Sequence, residues 1–97
     1  MREKINERSI EFILEKFREN NFSHNSAEEF LRLRGENISN FRSVHLSTSY
    51  VNAESEDERI YKTEIKLAGK AIERGCMYVT NIDYCVPCIA ATGLKPV

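Results

Sequence analysis

The spacing of apolar residues predicts two helices in the first third of the chain. Residues 2–20 carry apolar side chains three and four positions apart, which forms one stripe along a helix: Ile10, Ile13, Leu14 and Phe17. After the polar segment NNFSHN, Ser26 and Glu29 have the spacing of a capping box. We therefore expect a second, short helix that ends at Gly35. Its inward side chains are Ala27, Phe30 and Leu31.

The apolar period changes to two in residues 41–51, FRSVHLSTSYV, which predicts a strand with one buried face. The residues expected on that face are Val44, Leu46, Thr48 and Tyr50. Ser55 and Glu58 then form a second capping box, and Gly75 marks the end of the helix that follows. The apolar stripe of this helix is Tyr61, Ile65, Ala68 and Ile72.

The last quarter of the chain is expected to add one strand and one helix. Residues 76–80 form a short apolar run, NIDY is typical of a turn, and a final helix is predicted to start near Cys85, with Pro87 in its first turn. A strand–helix–strand order favours neighbouring parallel strands. We thus predict an α/β fold in the order helix-helix-strand-helix-strand-helix, with a small sheet flanked by helices. A third strand is expected near residues 36–40 or from a partner chain.

Composition narrows the class of protein. The 97 residues suit one domain, 1–97, and 41% hydrophobic with 30% charged residues is typical of a globular chain. No apolar run reaches the roughly 20 residues of a membrane span, and the N-terminus lacks the apolar core of a signal peptide. We therefore expect a cytoplasmic protein. An odd number of cysteines, three, favours thiol or metal chemistry over a disulfide framework.

Cys85 and Cys88 are the first candidates for that chemistry. In the first turn of the predicted helix their sulfurs would emerge on one side, where the helix dipole favours thiolates. Thiolates bind zinc, which needs at least one further ligand, and Cys76 and His45 are the candidates. The alternative is redox chemistry, because CVPC after a strand resembles the C-x-P-C motif of thioredoxin-like proteins.

Glu64 is the candidate acid or base. It is the one charged residue in a helical row that runs beside the apolar stripe: Ile60, Glu64, Leu67 and Ala71. A carboxylate at the edge of a core-facing stripe is either a surface group with a buried stem or an acid placed for proton transfer.

Residues 61–91 resemble the zinc-site half of the zinc-dependent deaminase superfamily, most closely the bacterial toxin-type deaminases. The similarity lies in the Thr63–Glu64 pair, the MYVT strand and the CVPC motif. It implies that Cys85 and Cys88 bind zinc, and that Glu64 shuttles protons while hydroxide removes an amino group from a nucleobase. The substrate would be a nucleoside or single-stranded nucleic acid. Lys62 stands where the family has its ligand histidine, so an inactive site fits the same residues.

A non-enzymatic role is the alternative from a different class. A small bacterial or phage interaction protein would use amphipathic helices, such as residues 2–20, to bind a protein partner, and its cysteines would be structural. Because so few strands bury little apolar area, we also expect such a chain to complete its core as a homodimer.

Overall fold

The protein is a layered α/β structure, seen here in a computed structural model that describes residues 7–85 and 87–97. The elements are α1 (Glu7–Asn21), α2 (Ala27–Leu33), a 3-10 turn (Ile38–Asn40), β1 (Phe41–Ser49), α3 (Glu56–Glu73), β2 (Tyr78–Cys85) and β3 (Cys88–Pro96). The predicted α/β class, with a small sheet and flanking helices, is confirmed. Within the described ranges, no helix is long and apolar enough to cross a membrane.

The helix ends follow the capping signals of the sequence. Ser26 accepts a hydrogen bond from the backbone N–H of Glu29 at 3.3 Å, and Ser55 accepts one from Glu58 at 3.2 Å. The second and third helices are followed by glycines in the left-handed region, Gly35 and Gly75, with φ of 75° and 79°. The first predicted helix is present from residue 7, and residues 2–6 lie outside the described part of the chain.

The sheet order is β1-β3-β2, and β3 is antiparallel to both of its neighbours. The prediction of adjacent parallel strands is therefore wrong, because β3 lies between the two strands that α3 connects. Residues 36–40 do not supply the third strand, since Ile38–Asn40 form a 3-10 turn. The third strand is β3, where the sequence predicted a helix.

The predicted final helix is replaced by the second half of a β-hairpin. β2 continues through the NIDY segment with a bulge between Thr80 and Asp83, where Asn81 has a φ of 53°. Cys85 then ends β2 and Cys88 begins β3. Buried and partly buried residues alternate along β3 from Cys88 to Gly93, but small residues such as Ala90 and Ala91 occupy both kinds of position, so the sequence does not show this alternation.

The two faces of the sheet are covered differently. α3 covers one face, where Leu46, Val79 and Ile89 are buried together with Leu67 of the helix. α2 covers one end of the other face, in a second core cluster of Phe30, Leu31, Tyr78 and Leu94. The rest of this second face, which we call the open face, carries exposed polar residues: His45, Ser47, Ser49, Asp83 and Cys85.

The buried face of α3 coincides only in part with the predicted stripe. In β1, Leu46 and Thr48 are buried as predicted. In α3, however, Ile72 is 40% exposed, whereas Leu67, Ala71 and the carboxylate residue Glu64 are buried. The row that contains Glu64 therefore contacts the core together with Ala68 of the predicted stripe, whereas Ile72 of that stripe lies at the edge.

Candidate functional site

Glu64 is buried and held from two sides. Its side chain is 8% exposed, and its Oε1 accepts a hydrogen bond from the Nε of Arg18 at 2.6 Å. Its Oε2 accepts a hydrogen bond from the hydroxyl of Tyr84. Of the two interpretations left open by the sequence, the surface position is therefore excluded. The catalytic role of Glu64 stays a prediction.

Two tyrosines belong to the same polar network. The guanidinium carbon of Arg18 lies 5.0 Å from the centre of the Tyr61 ring. Tyr61 donates a hydrogen bond to Glu15, and this bond is the main cause that raises the pKa of Tyr61 to about 12. Burial, followed by the hydrogen bond to Glu64, raises the pKa of Tyr84 well above its ordinary value. Both phenols are therefore hydrogen-bond donors at neutral pH.

A polar pocket of about 250 Å³ opens beside Glu64. The segment after α1 runs along β2, where the N–H of Ser23 bonds to the carbonyl of Val79 at 2.9 Å. This placement brings the ring of His24 to 5.5 Å from that of Tyr84. The pocket is smaller than the roughly 300–1,000 Å³ typical of small-molecule sites.

Cys85 and Cys88 lie directly opposite each other at the end of the β2–β3 hairpin. Directly opposed residues of an antiparallel pair project from the same face, here the open face. Cys85 is exposed, Cys88 is partly buried, and both are free thiols. The Cys85 thiol donates to Oδ2 of Asp83 at 3.1 Å, and this bond is the main cause that raises the pKa of Cys85.

The thiols and Glu64 lie on opposite faces of the sheet. Successive residues of a strand point to opposite sides, and Tyr84, which contacts Glu64, directly precedes Cys85. Water bound to a metal at the two sulfurs would therefore be separated from the Glu64 carboxylate by the sheet. The fold does not bring the three predicted site residues together.

The two candidates for a third metal ligand are also distant from the sulfurs. Cys76 is buried and precedes β2, whereas Cys85 ends it, so the length of the strand, about 25 Å, separates them. His45 is on the open face but pairs with Thr92, which lies about 13 Å along β3 from Cys88. In the described ranges, no group of three or more histidine, cysteine or acidic side chains is arranged to hold a metal ion.

Asp83 is the neighbour of the thiols that the sequence interpretation missed. It lies two residues before Cys85, which places both side chains on the same face of a strand. The D-x-C spacing would have identified it if NIDY had been interpreted as part of a strand rather than as a turn.

A groove between α1 and α3 is the second surface of interest. It measures about 440 Å³ and is lined by Ile10, Glu11, Leu14, Tyr61, Lys62 and Ile65. Ile10 and Ile13, which the helical stripe placed with the buried residues, are 46% and 52% exposed. The amphipathic face of α1 is thus only partly covered by α3.

No protein-family model, no curated protein and no solved structure matches this chain. The likeness of residues 61–91 to the deaminase superfamily rests on short motifs alone.

Proposed function

We propose that this chain is a non-enzymatic protein-interaction module, and that it binds a second copy of itself through the α1–α3 groove. The observation that carries the proposal is the exposure of Ile10 and Ile13 beside a groove with apolar walls. Clusters of exposed apolar side chains mark surfaces that bind other proteins. A helix in an apolar groove is one of the standard ways in which proteins recognise one another.

The charges of the groove favour a second copy as the occupant. Glu11 lies on the α1 wall and Lys62 on the α3 wall. In a two-fold dimer each copy presents the same patch, so α1 of one copy faces the α1–α3 groove of the other. Glu11 of each copy then faces Lys62 of its partner, and Ile10 packs against the partner's apolar wall.

Catalysis comes second among the candidate functions. Hydrolytic deamination of a nucleobase requires a metal-bound water next to the carboxylate that shuttles its protons. Glu64 supports such a role by its burial beside a polar pocket, but the thiols of Cys85 and Cys88 face the other side of the sheet. The test is to incubate the protein with nucleosides or single-stranded nucleic acid and to measure ammonia release. Release by the wild type that disappears in Glu64→Gln would place catalysis ahead of protein binding.

The dimer is tested by sedimentation equilibrium of the wild type and two exposed-residue variants. Burying an isoleucine contributes about 1.5–3 kcal/mol, so Ile10→Glu should weaken dimerisation by at least about tenfold. The matched control is Leu33→Glu, because Leu33 is 69% exposed on α2 and lies outside the groove. A wild type that sediments as a monomer, or equal effects of the two variants, would overturn the proposal.

A charge reversal tests the arrangement of the two copies. Glu11→Lys alone and Lys62→Glu alone should each weaken the homodimer, because like charges then face each other. Mixed together, the two single variants should form a heterodimer, and the double variant should form a homodimer again. If neither combination restores association, the two-fold arrangement is wrong.

A further inference from the structure

We propose that Asp83, Cys85 and Cys88 form a zinc site on the open face, at the end of the β2–β3 hairpin. The three side chains project from one face, because Asp83 and Cys85 are two residues apart in β2 and Cys88 is directly opposite Cys85. This site does not depend on the α1–α3 groove, and its failure would leave the proposed dimer untouched.

The ladder places the sulfurs within chelating reach. Directly opposed residues have Cβ atoms about 4.5–5.5 Å apart, and two sulfurs on one tetrahedral zinc are about 3.8 Å apart at Zn–S distances of about 2.3 Å. Rotation of two cysteine side chains therefore suffices, and the backbone need not move. Cys85 is exposed and its thiol already contacts Asp83, whereas Cys88 is partly buried.

Asp83 is placed to be the third ligand. Its Oδ2 lies 3.1 Å from the Cys85 sulfur. Oxygen and sulfur ligands of one tetrahedral zinc are about 3.6 Å apart, so the two atoms need to separate by only about half an ångström. Within the described residues the three side chains are not arranged as a ligand set, so the proposed site requires its side chains to rotate.

The donor set selects the metal by its chemistry. Two thiolates exclude Mg²⁺ and Ca²⁺, which take oxygen ligands, while a carboxylate makes the set less suited to Cu(I) than to zinc. Three groups that are negative when deprotonated repel one another unless a cation lies between them. Asp83 therefore takes the place of Cys76 or His45, and the fourth position is left for water.

Metal titration of the reduced, metal-free protein tests the site. We expect one Zn²⁺ per chain by calorimetry, and with Co²⁺ as the probe an absorption band of thiolate-to-metal charge transfer. Cys85→Ser and Cys88→Ser should each abolish that band. Loss of a second-shell partner alone costs about 10–100-fold in metal affinity, so Asp83→Asn should weaken binding by at least about tenfold.

The controls separate the candidate ligands. His45→Ala and Cys76→Ala should leave metal affinity unchanged, and so should Ile10→Glu, which acts on the groove. Full binding by Asp83→Asn would overturn the ligand set, and one metal per two chains would show a site of four thiolates from two copies instead. If the reduced protein shows no Co²⁺–thiolate absorption band, Cys85 and Cys88 form no metal site and the zinc proposal is wrong.

Discussion

Arg18 donates a hydrogen bond from its Nε to Oε1 of Glu64 at 2.6 Å, and this contact joins α1 to the buried face of α3. The second oxygen of the same carboxylate accepts a hydrogen bond from Tyr84 of β2. One acidic side chain thus connects three elements of the fold. A buried charge is tolerated only when it is paired and hydrogen-bonded, so these bonds make Glu64 a structural residue whatever its chemistry.

Removal of the Glu64 carboxylate should destabilise the fold. In Glu64→Ala, the Arg18 guanidinium and the Tyr84 hydroxyl lose their shared acceptor. We expect the free energy of unfolding to fall by about 2–3 kcal/mol, less than for a fully buried pair because Arg18 is 32% exposed. Urea denaturation measures this change. The control is Glu19→Ala, whose exposed pair with Lys16 at 3.6 Å contributes about 0.5 kcal/mol or less. Equal losses in the two variants would contradict the structural role of Glu64.

Two glycine-to-alanine substitutions should change stability in opposite directions. A Cβ on Gly93 of the central strand would lie 2.6 Å from the Cys76 sulfur and 2.8 Å from Cδ1 of Leu46. We expect Gly93→Ala to cost about 1–3 kcal/mol of unfolding free energy. A Cβ on Gly69 of α3 would meet only Leu14, at 3.9 Å, so Gly69→Ala should add about 0.5–1 kcal/mol.

The cause of the Gly93→Ala loss can be tested in a second background. If the clash with the sulfur is responsible, Cys76→Ala combined with Gly93→Ala should lose less stability than the sum of the two single variants. Strict additivity of the two losses would show that the crowding at the central strand lies elsewhere. Thermal and urea unfolding of the four proteins supply the comparison.

Alkaline pH should unfold the protein through its tyrosines. The pKa of each of the four tyrosines is raised, by burial above all at Tyr50 and Tyr84 and by hydrogen bonds to carboxylates at Tyr61 and Tyr78. The fold thus favours the neutral phenol. The stability that the neutral tyrosines contribute is complete below the ordinary tyrosine pKa of about 10. It is lost as the pH rises through the raised pKa values of the folded protein.

Ultraviolet absorbance and circular dichroism, recorded together against pH, measure this effect. Tyrosinate absorbance should appear with the loss of helical signal rather than before it. Between pH 10 and the raised pKa of Tyr61, about 12, the free energy of unfolding of Tyr61→Phe should fall less than that of the wild type. A tyrosine that ionises at its ordinary pKa in the folded protein would contradict the burial and bonding described for these residues.

The helical part of the fold was predictable because its signals are local. Ser26 and Ser55 cap their helices through residues three positions ahead, so each capping box is complete within one turn of chain. The strand β1 was also predictable, since only one of its faces is covered and Leu46 and Thr48 alternate with exposed residues. In both cases a few neighbouring residues carry the information.

The C-terminal hairpin and the site on it depend on partners distant in the sequence. β3 is a strand because β1 and β2 flank it, and residues such as Ala90 and Ala91 do not by themselves favour a strand over a helix. The same misassignment put Cys85 and Cys88 on a helix and hid Asp83. Glu64 could be singled out from its place in a helical row alone, but its burial and its partners Arg18 and Tyr84 could not be predicted from that row.

The position of β3 in the sheet affects how the chain folds during its synthesis. The middle strand is the last of the three to be translated, so β1 and β2 lack the strand that joins them until residues 88–96 have left the ribosome. The side of α3 that packs against the sheet therefore stays uncovered until then. Assembly of the sheet is consequently a late event, and premature termination within residues 88–96 would yield a product that chaperones and proteases recognise as unfolded.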